Sequence, residues 1–142
     1  MCCPHFYPLA QRFPAAAPTA IFPLGDFWTG ACHAIPAEAC EPEEALLRPL
    51  CQFGYARGQC GRFSIEDPGP DAVRFTVSAD TGDVLRLYYV LERDHHPFAH
   101  GPLEYSLSAR RFAAAPSGEI LRRQAQAYVE SYLRRKPAAA AR

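Results

Sequence analysis

The six cysteines carry the most distinctive chemistry in this sequence, and their spacing limits what they can do. Cys2 and Cys3 are adjacent, and four further thiols stand at residues 32, 40, 51 and 60. No two form a Cys-x-x-Cys motif, whereas structural zinc sites usually have about two to four residues between paired ligands and thioredoxin-type redox sites use that motif itself. An iron–sulfur cluster is held by four thiolates and is larger than a single ion, so it could accept ligands from separate loops. The spacing favours an iron–sulfur cluster, which we expect to be of the 4Fe–4S type, with zinc as the alternative.

The stretch from Cys51 to Phe63 is the strongest candidate for one half of such a site. Its two thiols, Cys51 and Cys60, lie among arginines and glycines. Positive charge stabilises a thiolate, and glycine N–H groups can donate hydrogen bonds to cluster sulfurs. Cys40 stands between glutamates, whose negative charge disfavours a thiolate, so we rank it lower. The predicted metal ligands are Cys2, Cys3, Cys32, Cys51 and Cys60, and the fourth position is open to Cys2, Cys3 or Cys40.

An adjacent cysteine pair followed later by a Cys…Gly-x-Cys…Phe loop is present in this chain. The pair is Cys2-Cys3, and the loop contains Cys51, Gly58, Cys60 and Phe63. In these features the chain resembles, over about a third of its length, the small bacterial cysteine-cluster proteins of the YkgJ type. The closely spaced first cysteines of that family are absent here. The resemblance implies that the thiols bind zinc or iron.

Unliganded buried thiols and disulfides are the two alternatives to a metal site. Free cysteines are among the most frequently buried residues, and disulfides belong to oxidising compartments. The N-terminus lacks the charged segment and apolar run of a secretory signal. No apolar run approaches the roughly 18 residues that span a bilayer. We therefore expect a soluble, cytoplasmic protein whose cysteines stay reduced.

A second chemically rich stretch holds three histidines. His95, His96 and His100 follow Asp94 closely, and imidazoles can bind a metal or act as general acids and bases. The sequence contains no nucleophile elbow, no glycine-rich phosphate loop and no His-Glu-x-x-His motif. We interpret the stretch as a solvated loop between strands and predict no catalytic residue. An enzyme that uses these histidines for hydrolysis or group transfer is the third and least favoured hypothesis.

Alternating apolar and polar residues predict an antiparallel sheet in the second half of the chain. Three alternating segments lie between residues 73 and 108, and Asp80–Asp83 has the composition of a hairpin turn. After Ser117, a residue suited to cap a helix, apolar residues recur at helical spacing. Residues 36–50 predict a shorter helix.

The predicted fold class is α+β, with an irregular cysteine-rich N-terminal half on a sheet of three or four antiparallel strands and a C-terminal amphipathic helix. A single domain is expected over residues 1–136, followed by a frayed tail at 137–142. Its parts are a proline-rich arm (1–23), a thiol-bearing segment (24–67), an antiparallel meander (71–112) and the helix (117–136). Within the second part, residues 24–35 are expected to form a turn-rich bend that delivers Cys32 and buries Trp28.

The charge balance bears on the partners of this chain. Fifteen basic residues face fifteen acidic ones, so the formal net charge is zero, whereas nucleic-acid-binding domains usually carry a basic excess. The arginines of the last helix could grip phosphate or an acidic partner, although a solvated helix face has the same pattern; they are Arg122, Arg123, Arg134 and Arg135. The first functional hypothesis is an iron–sulfur protein for electron transfer or structural support. The second is a zinc-stabilised module that binds a protein partner without catalysis.

Overall fold

The first half of the chain contains a two-stranded antiparallel sheet. The computed structural model describes residues 1–12, 22–114 and 118–135. Strand β1 (Phe6–Arg12) pairs with strand β2 (Phe27–Cys32). The prediction of a turn-rich bend over residues 24–35 is therefore wrong for the half that forms β2, and the proline-rich arm contains a strand within the half of the chain predicted to be irregular. Pro8 is tolerated because β1 has only β2 as a strand partner among the described residues, and the register shifts just after that proline.

The helix predicted for residues 36–50 is divided into three short turns. They are a 3₁₀ turn at Pro36–Glu38, a single α-helical turn, α1, at Glu44–Leu46, and a π-helical turn at Leu47–Cys51. The last turn is closed by the Gln52 N–H, which donates to the Leu47 carbonyl at 3.1 Å. Proline lacks the N–H that a continuing α-helix needs, so Pro49 accounts for the wider turn.

The second half forms the predicted antiparallel sheet, with four strands in chain order. They are β3 (Ala72–Asp80), β4 (Val84–Arg93), β5 (His96–Ser106) and β6 (Arg111–Ala114). The histidine stretch, expected to be a loop, lies largely within β5. Only Asp94 and His95 form the turn, and both have positive φ, as a two-residue hairpin turn requires.

One long helix, α2 (Glu119–Arg135), covers the apolar face of this sheet, as predicted. Ala125, Ala127 and Val129 are fully buried, and the Tyr128 ring packs against Phe75. The predicted cap at Ser117, residue 136 and the tail at 137–142 lie outside the described residues. No helix in the described part of the chain is both long and apolar enough to cross a membrane.

The two sheets share one core, which joins the N-terminal half to the second half. Trp28 is buried as expected, and its indole N–H donates to the Ser131 hydroxyl of α2 at 3.1 Å. The Cys2 backbone pairs with Val73 of β3 through two hydrogen bonds of 2.7 and 2.8 Å. The start of the chain is thereby attached to the edge of the four-stranded sheet.

The Arg57 side chain organises the loop between the last thiol and β3. Its guanidinium donates to the Asp71 carboxylate at 2.5 Å and to the carbonyl oxygens of four loop residues, namely Ser64, Ile65, Asp67 and Gly69. It also lies over the Phe63 ring at 4.8 Å. A guanidinium carries five N–H donors in a planar arrangement. Here these donors bind loop carbonyls that, in a strand, would be bonded by a neighbouring strand.

We expect this arrangement to make the protein sensitive to acid. Burial raises the pKa of Asp71, but hydrogen bonds from the Asp94 N–H and Arg57 outweigh that effect, so its pKa lies below the usual value. A lowered pKa stabilises the folded state above the unfolded pKa of about 4, and that stabilisation is lost as the pH falls through both values. Asp71→Asn should therefore flatten the decline in Tm between about pH 5 and pH 3, measured at constant ionic strength. Asp83→Asn, at an exposed turn, is the control; equal profiles for the wild type and Asp71→Asn would contradict this account.

Candidate metal centre

Cys51 lies at the centre of the thiol-bearing half. It ends the π-helical turn, and only 9% of its surface is exposed. The next residue, Gln52, is fully buried, and its side-chain amide donates to the Trp28 carbonyl at 2.8 Å and accepts from the Trp28 N–H at 3.3 Å. The amide therefore pairs with β2 as a strand would. This pairing holds Cys51 against the strand that ends at Cys32.

We predict that Gln52→Leu destabilises the protein by about 1–3 kcal/mol, because it leaves two buried backbone groups of Trp28 without a hydrogen bond. The measurement is the free energy of unfolding in urea. Gln59→Leu is the matched control, since Gln59 is exposed and a surface substitution should change stability by less than about 0.5 kcal/mol. Equal stability of the two variants would show that the buried amide does not hold the turn.

Cys32 and Cys40 lie side by side on paired backbone segments. The Cys32 N–H donates to the Cys40 carbonyl at 2.6 Å, and the Cys40 N–H donates to the Cys32 carbonyl at 3.2 Å. Arg62 crosses this pair: its Nε donates to Cys32 Sγ at 3.5 Å and its terminal nitrogen to the Glu38 carbonyl at 2.6 Å. Arg62 therefore places a positive charge and an N–H donor beside the Cys32 sulfur.

Cys3 is brought to the same region by the first residues of the chain. Its N–H donates to the Cys51 carbonyl at 3.1 Å. Its own carbonyl accepts from the buried Gln124 amide of α2 at 2.8 Å, as does the Phe6 carbonyl. The long helix therefore fixes the position of Cys3 through a polar side chain.

Cys2 has a different environment from Cys3. Its thiol is completely buried where the chain pairs with Val73. Burial raises the pKa of Cys2 to about 12, and the N-terminal amine acts in the opposite direction. The backbone of Cys2 is thus bonded to β3 and that of Cys3 to Cys51, while the two neighbouring thiols also act on each other.

The remaining thiol, Cys60, follows a tight turn. Its N–H donates to the Ala56 carbonyl at 2.7 Å, and its carbonyl accepts from the Phe63 N–H at 3.1 Å. Phe63 is buried beneath Arg57 and next to His5. Cys60 is partly exposed, as is Cys40, so the group of thiols reaches the protein surface at these two residues.

The thiols are close enough that a negative charge on one raises the pKa of another. Burial raises the pKa of Cys51, and Cys32, Cys60 and Cys40 add to the rise because thiolates there would repel its charge, which together bring the pKa to about 12. Burial likewise raises the pKa of Cys3, and repulsion from Cys2, Cys51 and Cys32 adds to the effect. We refer to these five residues as the thiol cluster: Cys3, Cys32, Cys40, Cys51 and Cys60.

The thiol cluster contains four of the five predicted ligands, together with Cys40, which the sequence ranked lower. All six cysteines of the chain lie within the described residues, and each is a free thiol. In residues 1–12, 22–114 and 118–135, no three Cys, His, Asp or Glu side chains are already arranged as ligands of one metal ion. The thiols thus lie in one region of the protein as separate, reduced side chains.

The histidines have partners of their own. His5 is hydrogen-bonded to Asp67 at 2.7 Å. His95 stacks on Tyr55 with 4.2 Å between ring centroids, His96 donates to the Asp94 carbonyl at 2.6 Å, and His100 is hydrogen-bonded to the Tyr88 hydroxyl. Each of the three histidines of the hairpin therefore contacts a different neighbour. We predicted no catalytic residue among them, and this stays a prediction.

Three residues that support the thiol cluster could not be identified from the sequence alone. Gln52 and Gln124 are buried amides, and neither stands in a motif. Arg62 follows Cys60 closely in the sequence, but its side chain contacts Cys32. A glutamine inside an apolar helical stripe, as at Gln124, is the one signal that could have been read in advance, because buried polar side chains usually have hydrogen-bond partners.

Comparison with models of known protein families, with curated proteins and with solved structures found no significant match to this chain. The resemblance based on the cysteine pair and the later loop therefore stays a prediction.

Proposed function

We propose that this protein binds metal through its thiol cluster and holds an iron–sulfur cluster there. The observation that supports this is the convergence on Cys51 of thiols from separate parts of the chain: the N-terminus, the end of β2 and the turn at Cys60. Inert cysteines need no such grouping, whereas metal thiolates require several sulfurs within reach of one centre. In this proposal, side-chain rotation completes the ligand set as the metal binds, because metal binding is commonly coupled to local ordering.

The proposed ligands are Cys3, Cys32, Cys51 and Cys60, with Cys40 as a fifth thiol beside them. Cys3 is preferred to Cys2 because its backbone is bonded to Cys51 and its thiol senses Cys32. Arg62 would stabilise the bound thiolate at Cys32, and such hydrogen bonds to ligand sulfurs tune the potential of a cluster. The raised pKa values of Cys3 and Cys51 imply that metal uptake releases protons.

The proposed role is electron transfer, or structural support of the N-terminal half, in a reducing cytoplasm. Cys40 and Cys60 are the partly exposed members of the thiol cluster, so a protein partner that exchanges electrons would approach there. Zinc is the second candidate because Cys32 and Cys40 are adjacent on paired backbone, and a neighbouring pair of thiols suits a single small ion. With zinc bound, the metal would stabilise the fold, and the protein would serve as a module that binds a protein partner without catalysis.

The test is metal analysis of protein purified without oxygen. An iron–sulfur cluster predicts coloured protein with equal amounts of iron and acid-labile sulfide. Colourless protein with one equivalent of zinc would replace the cluster with the zinc module. Protein that takes up neither iron and sulfide nor zinc during reconstitution, with all six thiols titratable, would overturn metal binding altogether.

A further inference from the structure

Cys32 and Cys40 are paired through their backbones in a way that sets them apart from the other thiols. Each donates its N–H to the carbonyl of the other, at 2.6 and 3.2 Å, in an antiparallel bridge. Within the described residues, which include all six cysteines, no other two cysteines exchange both of these bonds. Residues directly opposite each other in such a bridge place their side chains on the same face. The two thiols therefore lie on one side of the paired backbone.

The backbone spacing of such a pair suits a disulfide. Opposed residues that exchange both hydrogen bonds have about 5.5 Å between their Cα atoms, and disulfides join residues whose Cα atoms are about 4.4 to 6.8 Å apart. Cys40 lies in an isolated bridge outside the named strands. A small shift of its segment can therefore bring the two sulfurs together while the pairing of β1 with β2 stays intact.

Arg62 connects the segment of Cys40 to Cys32. Its Nε donates to Cys32 Sγ at 3.5 Å, and its terminal nitrogen donates at 2.6 Å to the carbonyl of Glu38, two residues before Cys40. One guanidinium thus contacts the side chain of the first cysteine and the backbone beside the second. This contact keeps the two thiols opposite each other.

Solvent reaches the pair through Cys40. Cys40 is partly exposed, whereas only 8% of the surface of Cys32 is exposed. A small oxidant therefore meets Cys40 first, and Cys32 is the buried thiol that can complete a disulfide with it. Three exposed carboxylates surround Cys40 in the sequence, those of Glu38, Glu41 and Glu43. They repel an anionic oxidant such as glutathione disulfide, but not an uncharged peroxide.

We propose that hydrogen peroxide closes a reversible disulfide between Cys32 and Cys40. Cys40 Sγ forms a bond to one peroxide oxygen, the O–O bond breaks, and the other oxygen leaves as water with the thiol proton. Cys32 Sγ then forms a bond to the sulfur of this sulfenic acid, whose oxygen leaves as a second water with the Cys32 proton. The two thiols lose two electrons, and peroxide is reduced by them. A dithiol reductant restores both free thiols by exchange.

The disulfide regulates the metal site, and this part of the inference rests on the proposed function. Cys32 is one of the proposed ligands, and a cysteine binds metal as a thiolate. Its sulfur is withdrawn from the ligand set while it is bonded to Cys40. Peroxide should therefore lower the affinity of the thiol cluster for metal, and reduction should restore it.

The first test is disulfide mapping of the full chain, freed of metal, reduced, and then treated with hydrogen peroxide. After the remaining thiols are blocked, cleavage after glutamate separates the two cysteines, because Glu38 lies between them. We expect the loss of two titratable thiols and a linked pair of peptides, containing Cys32 and Cys40, that a dithiol reductant separates. A disulfide between any other two cysteines, or oxidation that leaves these two unlinked, would overturn the proposal.

Cys40→Ser and Cys60→Ser are matched variants, because each replaces a partly exposed thiol. In Cys40→Ser, the peptide that contains Cys32 should stay unlinked after the same treatment. Cys60→Ser should form the disulfide between Cys32 and Cys40 at the wild-type rate. If Cys32 joins another cysteine equally fast in Cys40→Ser, the backbone bridge does not select the pair and the proposal fails.

The second test is titration of the reduced and the oxidised metal-free protein with Zn²⁺, which needs no reductant in the buffer. The oxidised protein should bind Zn²⁺ at least about tenfold more weakly, because a ligand is lost, and reduction should restore the affinity. Equal affinities would overturn the regulation of the metal site. If the reduced protein binds neither Zn²⁺ nor iron, the proposed function fails, whereas the mapped disulfide between Cys32 and Cys40 stands.

Discussion

Cys51→Ala should reduce the bound metal to background while the protein stays folded. Cys32, Cys40 and Cys60 act on the Cys51 thiol, so its loss removes the central member of the proposed ligand set. Bound metal present at a hundredfold excess over its Kd stabilises a protein by about 2.7 kcal/mol. The difference in Tm between loaded and metal-stripped wild type should therefore disappear in the variant. Metal content and thermal melting of both forms measure this.

Cys2→Ala is the matched control for Cys51→Ala. It removes a thiol that is fully buried and adjacent in sequence to a proposed ligand, but which packs beside Val73. We expect this variant to lose some stability through the cavity it creates and to keep its metal. Stoichiometric metal in Cys51→Ala, or equal loss of metal in Cys2→Ala, would contradict the proposed ligand set.

Gly30→Ala should destabilise the protein more than any surface substitution, because it separates β1 from β2. A Cβ atom at residue 30 would lie 2.1 Å from the Tyr7 carbonyl oxygen and 2.9 Å from Pro8 Cα. Both are backbone atoms, so no side-chain rotation can relieve the clash. Overpacking of this kind costs about 1–3 kcal/mol, before any loss of the hydrogen bonds between the strands is counted.

The measurement for Gly30→Ala is thermal unfolding. One kcal/mol shifts Tm by roughly 2–4 °C in a domain slightly larger than this one, so we expect a fall of at least about 4 °C. Gly61→Ala is the control, since its Cβ would meet no atom within 4 Å. If the two alanine variants melt together, the close approach of the strands is not a determinant of stability.

The second half of the fold could be predicted because its signals are local. Apolar residues alternate along β3 and β4, and they recur at helical spacing along α2, so each element contains the information that specifies it. The first residues of β5 were missed because Pro97, Ala99 and Gly101 interrupt the alternation. Pairing with β4 overrides that weak local preference.

The first half was harder to predict because its strands depend on distant partners. Proline-rich β1 has little intrinsic preference for a strand, and it becomes one by pairing with β2, about twenty residues away. The polar residues that support the cluster are equally non-local: Gln124 meets Cys3 across 121 positions of sequence. No pattern within a short window can predict such a contact.

The sequence by itself determined the α+β class, the sheet and the long helix, and it led to the prediction that the thiols bind metal. Residue type and short-range periodicity are sufficient for these conclusions. Only the tertiary structure decided that the backbone of Cys3 is bonded to Cys51 while that of Cys2 is bonded to Val73, and that Cys40 lies beside Cys32 despite its acidic neighbours. These features arise from backbone pairing and helix packing between segments far apart in the chain, which set distances that residue types cannot encode.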